Sequence, residues 1–162
     1  MNRTNKFLII FLVAALFIVS AKVLHAQESY KVVDGDSLEY GSIRIRLIDI
    51  DAPELFQYCY DENNIKYECG KRALTELKKY VNSKISCQEV SVDRYKRKLM
   101  ECFDENGESI NRKMILNGWA LSYGDRFKDE EKLAKNQKNG IWSGRFMRPE
   151  LYRALNKNQK KQ

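Results

Sequence analysis

The pattern of apolar and polar positions predicts short strands in the first two thirds of the chain. From residue 42 to 50, apolar Ile43, Ile45 and Leu47 alternate with polar neighbours, which is typical of a half-buried strand. Similar extended segments occur before and after it, separated by turn residues. The predicted strands are 29–33, 37–39, 42–50, 85–92 and 98–103.

Helical periodicity appears between and after these strands. Residues 71–81 place Ala73, Leu74, Leu77 and Val81 on one face, which predicts an amphipathic helix. Segment 55–68 is expected to be a loop, and the polar residues from 153 onward are expected to fray. The other predicted helices are 110–116 and 128–138. The order of elements indicates an α+β, mainly β domain: a small barrel with three helices.

The N-terminus has the organisation of a signal peptide. Arg3 and Lys6 precede thirteen apolar residues, 7–19, and small residues follow. We expect cleavage after Ala26, with Ala21 as a second site, and export to the periplasm or the medium. An uncleaved membrane anchor is the alternative, but thirteen residues rise only about 20 Å as a helix, short of a hydrocarbon core of about 30 Å. The predicted domain is then 27–153, followed by a basic flexible tail, 154–162.

Cleavage at that position would remove His25, the single histidine of the 162 residues. The remaining chain would have no imidazole, which excludes Ser-His, Cys-His and His-metal mechanisms.

The four cysteines all follow the predicted signal peptide. An even count in an oxidising compartment favours disulfides, and the absence of a C-x-x-C motif or a histidine partner disfavours zinc. We expect Cys59–Cys69 within one loop and Cys87–Cys102 across a hairpin. The other two pairings remain open, because connectivity does not follow from sequence.

Charge and acid spacing suggest a phosphate site. The net charge is +7, and one basic cluster, 94–98, lies between two predicted strands. This cluster is either a solvated hairpin edge or a local contact for nucleic acid.

Three acids lie at predicted strand ends, Asp36, Asp51 and Glu54, and two arginines lie on strands or at their edges, Arg46 and Arg97. Two carboxylates and a main-chain carbonyl form an oxygen-only set that suits Ca²⁺, and guanidinium groups match phosphate oxygens. Glu54 is then the group able to position or deprotonate a water. Each piece alone also has a structural interpretation, such as a turn at 34–36.

Taken together, the motifs resemble those of the staphylococcal nuclease (thermonuclease) family, from Tyr30 to about Arg153. The four cysteines resemble an exported bacterial branch of that family with two disulfides. The segments that carry the resemblance are VDGDS at 33–37, IRLIDIDAPE at 45–54, DRYKR at 93–97, IN at 110–111, NGWA at 117–120 and NGIW at 139–142.

The resemblance implies an OB-like five-stranded barrel with three helices and Ca²⁺-dependent hydrolysis of DNA and RNA to 3′-phosphate and 5′-hydroxyl ends by a monomer. By position, it implies Asp36, Asp51 and the carbonyl of Ala52 as Ca²⁺ ligands. Glu54 resembles the residue that engages the attacking water, and Arg46 and Arg97 resemble the two phosphate-binding arginines.

Other positions depart from the family pattern or match it less well. Ala52 stands where Thr is common, and Tyr152-Arg153 stands where Trp-Arg is frequent, which we interpret as packing. Tyr95 and Tyr123 are candidates for contacting bases or phosphates, or for burial in the barrel wall. The candidate substrate-binding residues are Arg94, Tyr95, Lys96, Lys98 and Tyr123.

Two other functions fit the same chain. A non-catalytic OB-type module that binds nucleic acid or protein should show gaps in the acid–arginine set, and the sequence has none. A surface protein could instead use the basic C-terminal tail to bind a partner.

Overall fold

The computed structural model describes residues 29–159. The predicted signal peptide and the last three residues of the predicted tail lie outside this range. None of the helices in residues 29–159 combines the length and the apolar character needed to cross a bilayer.

Strands dominate the first part of the chain, as predicted. They are β1 (Tyr30–Val32), β2 (Ser37–Tyr40), β3 (Ile43–Leu47), β4 (Ile50–Asp51), β5 (Cys59–Tyr60), β6 (Lys66–Tyr67), β7 (Ser86–Val92), β8 (Lys98–Phe103) and β9 (Leu121–Ser122). Five of them form one mixed sheet in the order β1-β2-β3-β8-β7, in which β3 and β8 are parallel and the other neighbours are antiparallel. The remaining strands form two short pairs, β4 with β9 and β5 with β6.

The described residues contain four α-helices, one more than predicted, and a short 3-10 helix at Gly140–Ser143. The additional helix starts at Pro149, where proline suits the first turn because no hydrogen bond is lost. Residues 153–159, which were expected to fray, are helical in the structure, and Arg153 contacts Asp51 and Glu54. The helices are α1 (Cys69–Tyr80), α2 (Ile110–Leu116), α3 (Lys128–Asn136) and α4 (Pro149–Gln159).

The main core lies between the sheet and the helices. On β3, Ile45 and Leu47 are buried, whereas Arg46 points to the other face, as the alternation predicts. Helix α1 contributes Ala73 and Leu77, both fully buried, to this core. The fold is therefore the predicted α+β class, and the face of β3 that points away from the core is free to carry polar chemistry.

Two disulfides confirm the predicted pairing. Cys87 and Cys102 are directly opposite each other in the β7–β8 ladder. Cys59 is joined to Cys69, the first residue of α1. The segment expected to be a loop, 55–68, contains the short β5–β6 hairpin, which this second bond ties to the helix.

Candidate active site

A tight turn places Asp36 beside the end of β4. A Cβ atom on Gly35 would lie 2.7 Å from the Cβ of Ala52 and 2.8 Å from that of Ala73, so only glycine allows this approach. The main-chain N–H of Ala52 donates to Asp36 Oδ2 at 3.0 Å. Packing of the turn against α1 thus brings the two predicted metal-site segments together.

Burial dominates the electrostatics of Asp36, whose exposed fraction is 3%. Its Oδ1 accepts hydrogen bonds from the Ser37 hydroxyl at 2.9 Å and from Arg46 Nη1 at 3.0 Å. Burial raises the pKa of Asp36 to about 7, although Arg46 acts in the opposite direction. A nearby cation therefore strongly affects the ionisation of this carboxyl group.

Arg46 links the two buried acids. Its Nη1 donates to Asp36, and its Nη2 donates to Asp51 Oδ1 at 2.9 Å. Burial acts to lower the pKa of Arg46, but the two carboxylates raise it above its ordinary value. In the β2–β3 register Arg46 lies opposite Ser37, which places it next to Asp36.

Arg153, which the sequence indicates only as a packing residue, lies in the site. From α4, its Nη1 donates to Asp51 Oδ1 and to Glu54 Oε1, both at 2.8 Å, and its Nη2 donates to Asp51 Oδ2 at 3.1 Å. Burial acts to lower the pKa of Arg153, but its hydrogen bonds to Asp51 and Glu54 raise it above its ordinary value. The only signal in the sequence was the Tyr-Arg pair at a position where the family often has Trp-Arg.

These contacts form a continuous chain of alternating charge. It runs from Asp36 through Arg46, Asp51 and Arg153 to Glu54. Three carboxylates and two guanidinium groups thus meet within hydrogen-bonding distance at the end of β4.

Arg97 reaches the same cleft from the β7–β8 turn. Its Nε and Nη2 both lie 2.8 Å from Asp93 Oδ2, so Asp93 orients the guanidinium. The open cleft has a volume of about 980 Å³. Residues that line it include Arg44, Arg46, Glu54, Arg94, Tyr95, Arg97, Tyr123 and Arg153.

The predicted substrate-binding residues divide into two groups. Arg94, Tyr95 and Tyr123 line the cleft, and both tyrosines are exposed, 51% and 62%, so their predicted alternative of burial is wrong. Lys96 and Lys98 are absent from the lining formed by the described residues. Lys96 occupies the tip of the turn, with a φ of 61°, and Lys98 pairs with Glu89 on β7 at 2.7 Å.

The predicted metal ligands match a hard cation in kind, because two carboxylates and a carbonyl provide oxygen alone. Within residues 29–159, however, no three acidic, cysteine or histidine side chains are gathered into a ready-made ligand cluster. The reason is visible in the contacts: Arg46 lies between Asp36 and Asp51, and Arg153 lies between Asp51 and Glu54.

Fold and site together define a small α+β protein whose sheet carries an acid–guanidinium cleft with the chemistry of a phosphate site. Comparison with known proteins is consistent with this class. The family described as "Staphylococcal nuclease homologue" matches residues 44–144. The chain belongs to the staphylococcal nuclease family, which confirms the resemblance seen in the sequence.

Individual relatives are similar over most of this chain. The succinoglycan biosynthesis protein ExoI of Rhizobium meliloti is 35% identical over 68% of this chain and 61% of its own length. Endonuclease YhcR of Bacillus subtilis is 30% identical over 70% of this chain, which corresponds to only 11% of that protein. An uncharacterized endonuclease of Escherichia coli O157:H7 is 31% identical over 79% of this chain and 86% of its own length. The chain thus spans less than two thirds of the first two relatives, and the predicted hydrolase class agrees with the two named as endonucleases.

Proposed function

We propose that this protein is an exported, Ca²⁺-dependent nuclease that hydrolyses DNA and RNA phosphodiesters to 3′-phosphate and 5′-hydroxyl ends. The observation that carries the proposal is the chain of three acids and two arginines beside a cleft whose lining also includes Arg97. Phosphoryl transfer needs cationic groups around the phosphate, because negative charge is spread over its equatorial oxygens.

In this mechanism, Arg46 and Arg97 bind the scissile phosphate. Each presents a planar fork of N–H donors that matches two phosphate oxygens. Arg46 is held by two buried carboxylates, and Arg97 is held by Asp93, so both are oriented in advance. Arg97 would stabilise the transition state and the leaving oxygen.

Glu54 is proposed to engage the attacking water. Its side chain is 36% exposed, and Arg153 contacts only Oε1, so Oε2 can accept a proton. Asp36 and Asp51 are both buried and bonded to Arg46, which makes them less suited to this role.

Asp36, Asp51 and the main-chain carbonyl of Ala52 would hold Ca²⁺. When bound, the cation would supply positive charge that neutralises the phosphodiester. The binding of a divalent cation would also favour the ionised form of Asp36, whose pKa is raised to about 7 by burial.

Tyr95 and Tyr123 are proposed to stack on nucleobases beside the scissile bond. Both rings are exposed at the cleft. Stacking on an aromatic ring is tolerant of base identity and does not depend on the sugar, which fits cleavage of both DNA and RNA.

Export is proposed on the basis of the two disulfides and the predicted signal peptide. Disulfides persist in oxidising compartments and are rare in the cytosol. We further propose that the exported protein acts as a monomer.

Digestion of plasmid DNA and of RNA by the purified chain in Ca²⁺, in Mg²⁺ and in chelator tests this function. We expect cleavage in Ca²⁺, loss of cleavage in chelator, and recovery on readdition of Ca²⁺. Removal of the terminal phosphate by a 3′-phosphatase should identify the product ends. Full activity in chelator would contradict the metal role.

The Glu54→Gln variant separates catalysis from metal binding. We expect calorimetry to show Ca²⁺ binding close to that of the wild type, together with a large loss of turnover, because the amide cannot accept the proton. An unchanged rate would remove Glu54 from the mechanism. A non-catalytic binding module, the alternative function, would bind nucleic acid without cleaving it under any of these conditions.

A further inference from the structure

A second groove lies on the β5–β6 hairpin, outside the site described above. We name it the hairpin groove and define it by six of its lining residues; its volume is about 490 Å³. These residues are Tyr58, Tyr60, Lys66, Arg145, Met147 and Tyr152.

The hairpin groove is built by strand alternation and anchored to the domain at two places. Cys59 is fully buried and bonded to Cys69, so its neighbours Tyr58 and Tyr60 both point outward. Tyr60 and Arg145 exchange two main-chain hydrogen bonds, each 2.8 Å long. A two-stranded hairpin is marginally stable by itself, so the disulfide and these bonds fix the position of the two rings.

Exposed aromatic rings are concentrated at this hairpin and at the active-site cleft. In the part of the chain that the structure describes, five aromatic residues are exposed by 37% or more. Two of them, Tyr95 and Tyr123, line the cleft, and the other three are Phe56, Tyr58 and Tyr60. Exposed apolar surface of this kind marks binding sites more often than scattered surface residues do.

The cations and aromatic rings of the hairpin groove favour a ligand that carries both negative charges and flat rings. Lys66 Nζ lies 4.2 Å from the centre of the Tyr58 ring, and the Arg145 guanidinium carbon lies 5.0 Å from the centre of the Tyr60 ring. No acidic residue lines the groove among the residues described. Aromatic platforms next to cations are how proteins bind single-stranded nucleic acid, with bases on the rings and phosphates at the cations.

The hairpin groove and the active-site cleft share a wall. Tyr152 lines the groove, and the next residue on α4, Arg153, lines the cleft and contacts Asp51 and Glu54. The Tyr152 hydroxyl also donates to the Phe56 carbonyl at 3.1 Å, which joins the helix to the hairpin segment. OB folds bind about 4–16 nucleotides, so a strand of this length that occupies the cleft can continue across α4.

We propose that the hairpin groove is a second nucleic-acid subsite, which stacks bases of the substrate strand beyond the scissile phosphate on Tyr58 and Tyr60. This inference rests on the proposed nuclease function. It predicts that the groove contributes to the binding of long strands. It should not contribute to the binding of the shortest strands, because these occupy only the active-site cleft.

Binding of fluorescein-labelled oligothymidylates of 4 and 15 nucleotides, measured by anisotropy in chelator, tests the proposal. Tyr58→Ala should weaken binding of the 15-mer by about 5- to 140-fold and leave that of the 4-mer unchanged. Tyr58→Phe is the matched control, because it keeps the ring, and it should bind both like the wild type. Equal affinity of Tyr58→Ala and wild type for the 15-mer, or equal loss for both lengths, would overturn the proposal.

Salt dependence provides a readout that does not require removal of a ring. Lys66→Gln should reduce the slope of log affinity against log salt for the 15-mer by about 0.7, the value for one single-strand phosphate contact. Lys84→Gln makes the same charge change at an exposed lysine that pairs with Glu105 away from the groove, and it should keep the slope. An unchanged slope in Lys66→Gln would contradict the proposal that the groove binds the strand.

The remaining outcomes distinguish a failure of the groove proposal from a failure of the proposed nuclease function. If wild type fails to cut nucleic acid in Ca²⁺, the nuclease proposal falls, and the binding comparison still tests the groove. If cleavage is intact while Tyr58→Ala binds the 15-mer like wild type, only the groove is overturned. A wild-type dimer that Tyr58→Ala converts to a monomer would instead identify the face as a contact between two copies of the chain.

Discussion

At the scale of single residues, the two arginines proposed to bind phosphate differ in the carboxylates that hold them. Arg46 contacts two acids that are buried, whereas Arg97 is held by Asp93 and faces the open cleft. Since their surroundings differ, loss of one arginine should not have the same effect as loss of the other.

Arg97→Ala should reduce turnover by about 10²- to 10³-fold, the usual effect of removing one donor to developing charge. Single-strand affinity should fall much less, because other cations along the cleft remain. Parallel measurement of kcat and of oligonucleotide binding in chelator checks this. Arg94→Ala is the comparison, since it removes an exposed cation from the same turn and should weaken binding more than turnover; equal losses in Arg97→Ala would reduce Arg97 to a binding residue.

Arg153 acts as a positioning residue for two acids, since one guanidinium holds Asp51 and Glu54 together. Arg153→Lys keeps the charge but cannot form three hydrogen bonds from a planar fork. We expect kcat to fall by about 10- to 100-fold, because small misplacement of catalytic groups is costly, with little change in KM. Arg148→Lys, at an exposed position on the preceding segment, is the control; retention of wild-type kcat by Arg153→Lys would show that the fork is not needed.

At the scale of elements, each disulfide cross-links one of the two hairpins that carry the proposed binding residues. Cys87–Cys102 links β7 to β8, whose connecting turn holds Arg94, Tyr95 and Arg97. Cys59–Cys69 ties the β5–β6 hairpin to the start of α1. Rigid elements at these places keep exposed rings and cations in fixed positions.

Dithiothreitol should therefore lower the melting temperature by about ten degrees or more, since it reduces both bridges. Each bridge of this kind typically contributes about 2–4 kcal/mol, and about 1 kcal/mol corresponds to a few degrees in a domain of this size. Scanning calorimetry with and without reductant measures the shift, and a variant with all four cysteines replaced by serine should show none. A wild-type melting temperature that does not respond to reductant would indicate that the thiols are unpaired in solution.

At the scale of the whole molecule, the buried acid makes global stability depend on pH. Because the pKa of Asp36 is raised from its ordinary value of 3.8 to about 7, the folded chain binds a proton there that the unfolded chain has lost. The stabilisation from this proton is fully present below about pH 4 and is lost as the pH rises through about 7.

In chelator, the melting temperature of the wild type should therefore fall more between pH 5 and pH 8 than that of Asp36→Asn, whose amide does not titrate. Denaturation curves at a series of pH values measure the difference between the two proteins. Parallel pH dependence in wild type and variant would show that Asp36 is ionised throughout this range.

Much of this organisation follows from local patterns. Alternation predicted the strand at 42–50, since side chains of a strand point to opposite faces with a period of two. The other four strands of the main sheet were predicted from the extended segments that lie between turn residues. Asp36, Arg46 and Asp51 belong to the candidate set that the sequence and the family resemblance indicate, and the structure brings them into contact. The cysteine pairs were also predicted, because each joins segments that are near in the sequence.

The sequence by itself thus determined the strands of the main sheet and the family, because both depend on residues within short windows. Only the tertiary structure decided that α4 continues to Gln159. It also decided that Arg153, 102 positions away from Asp51, joins Asp51 to Glu54. It also decided that Tyr58 and Tyr60 form a groove with Arg145. The physical reason is that periodicity constrains a side chain's direction within its own element, whereas contacts between remote segments arise only when the elements pack.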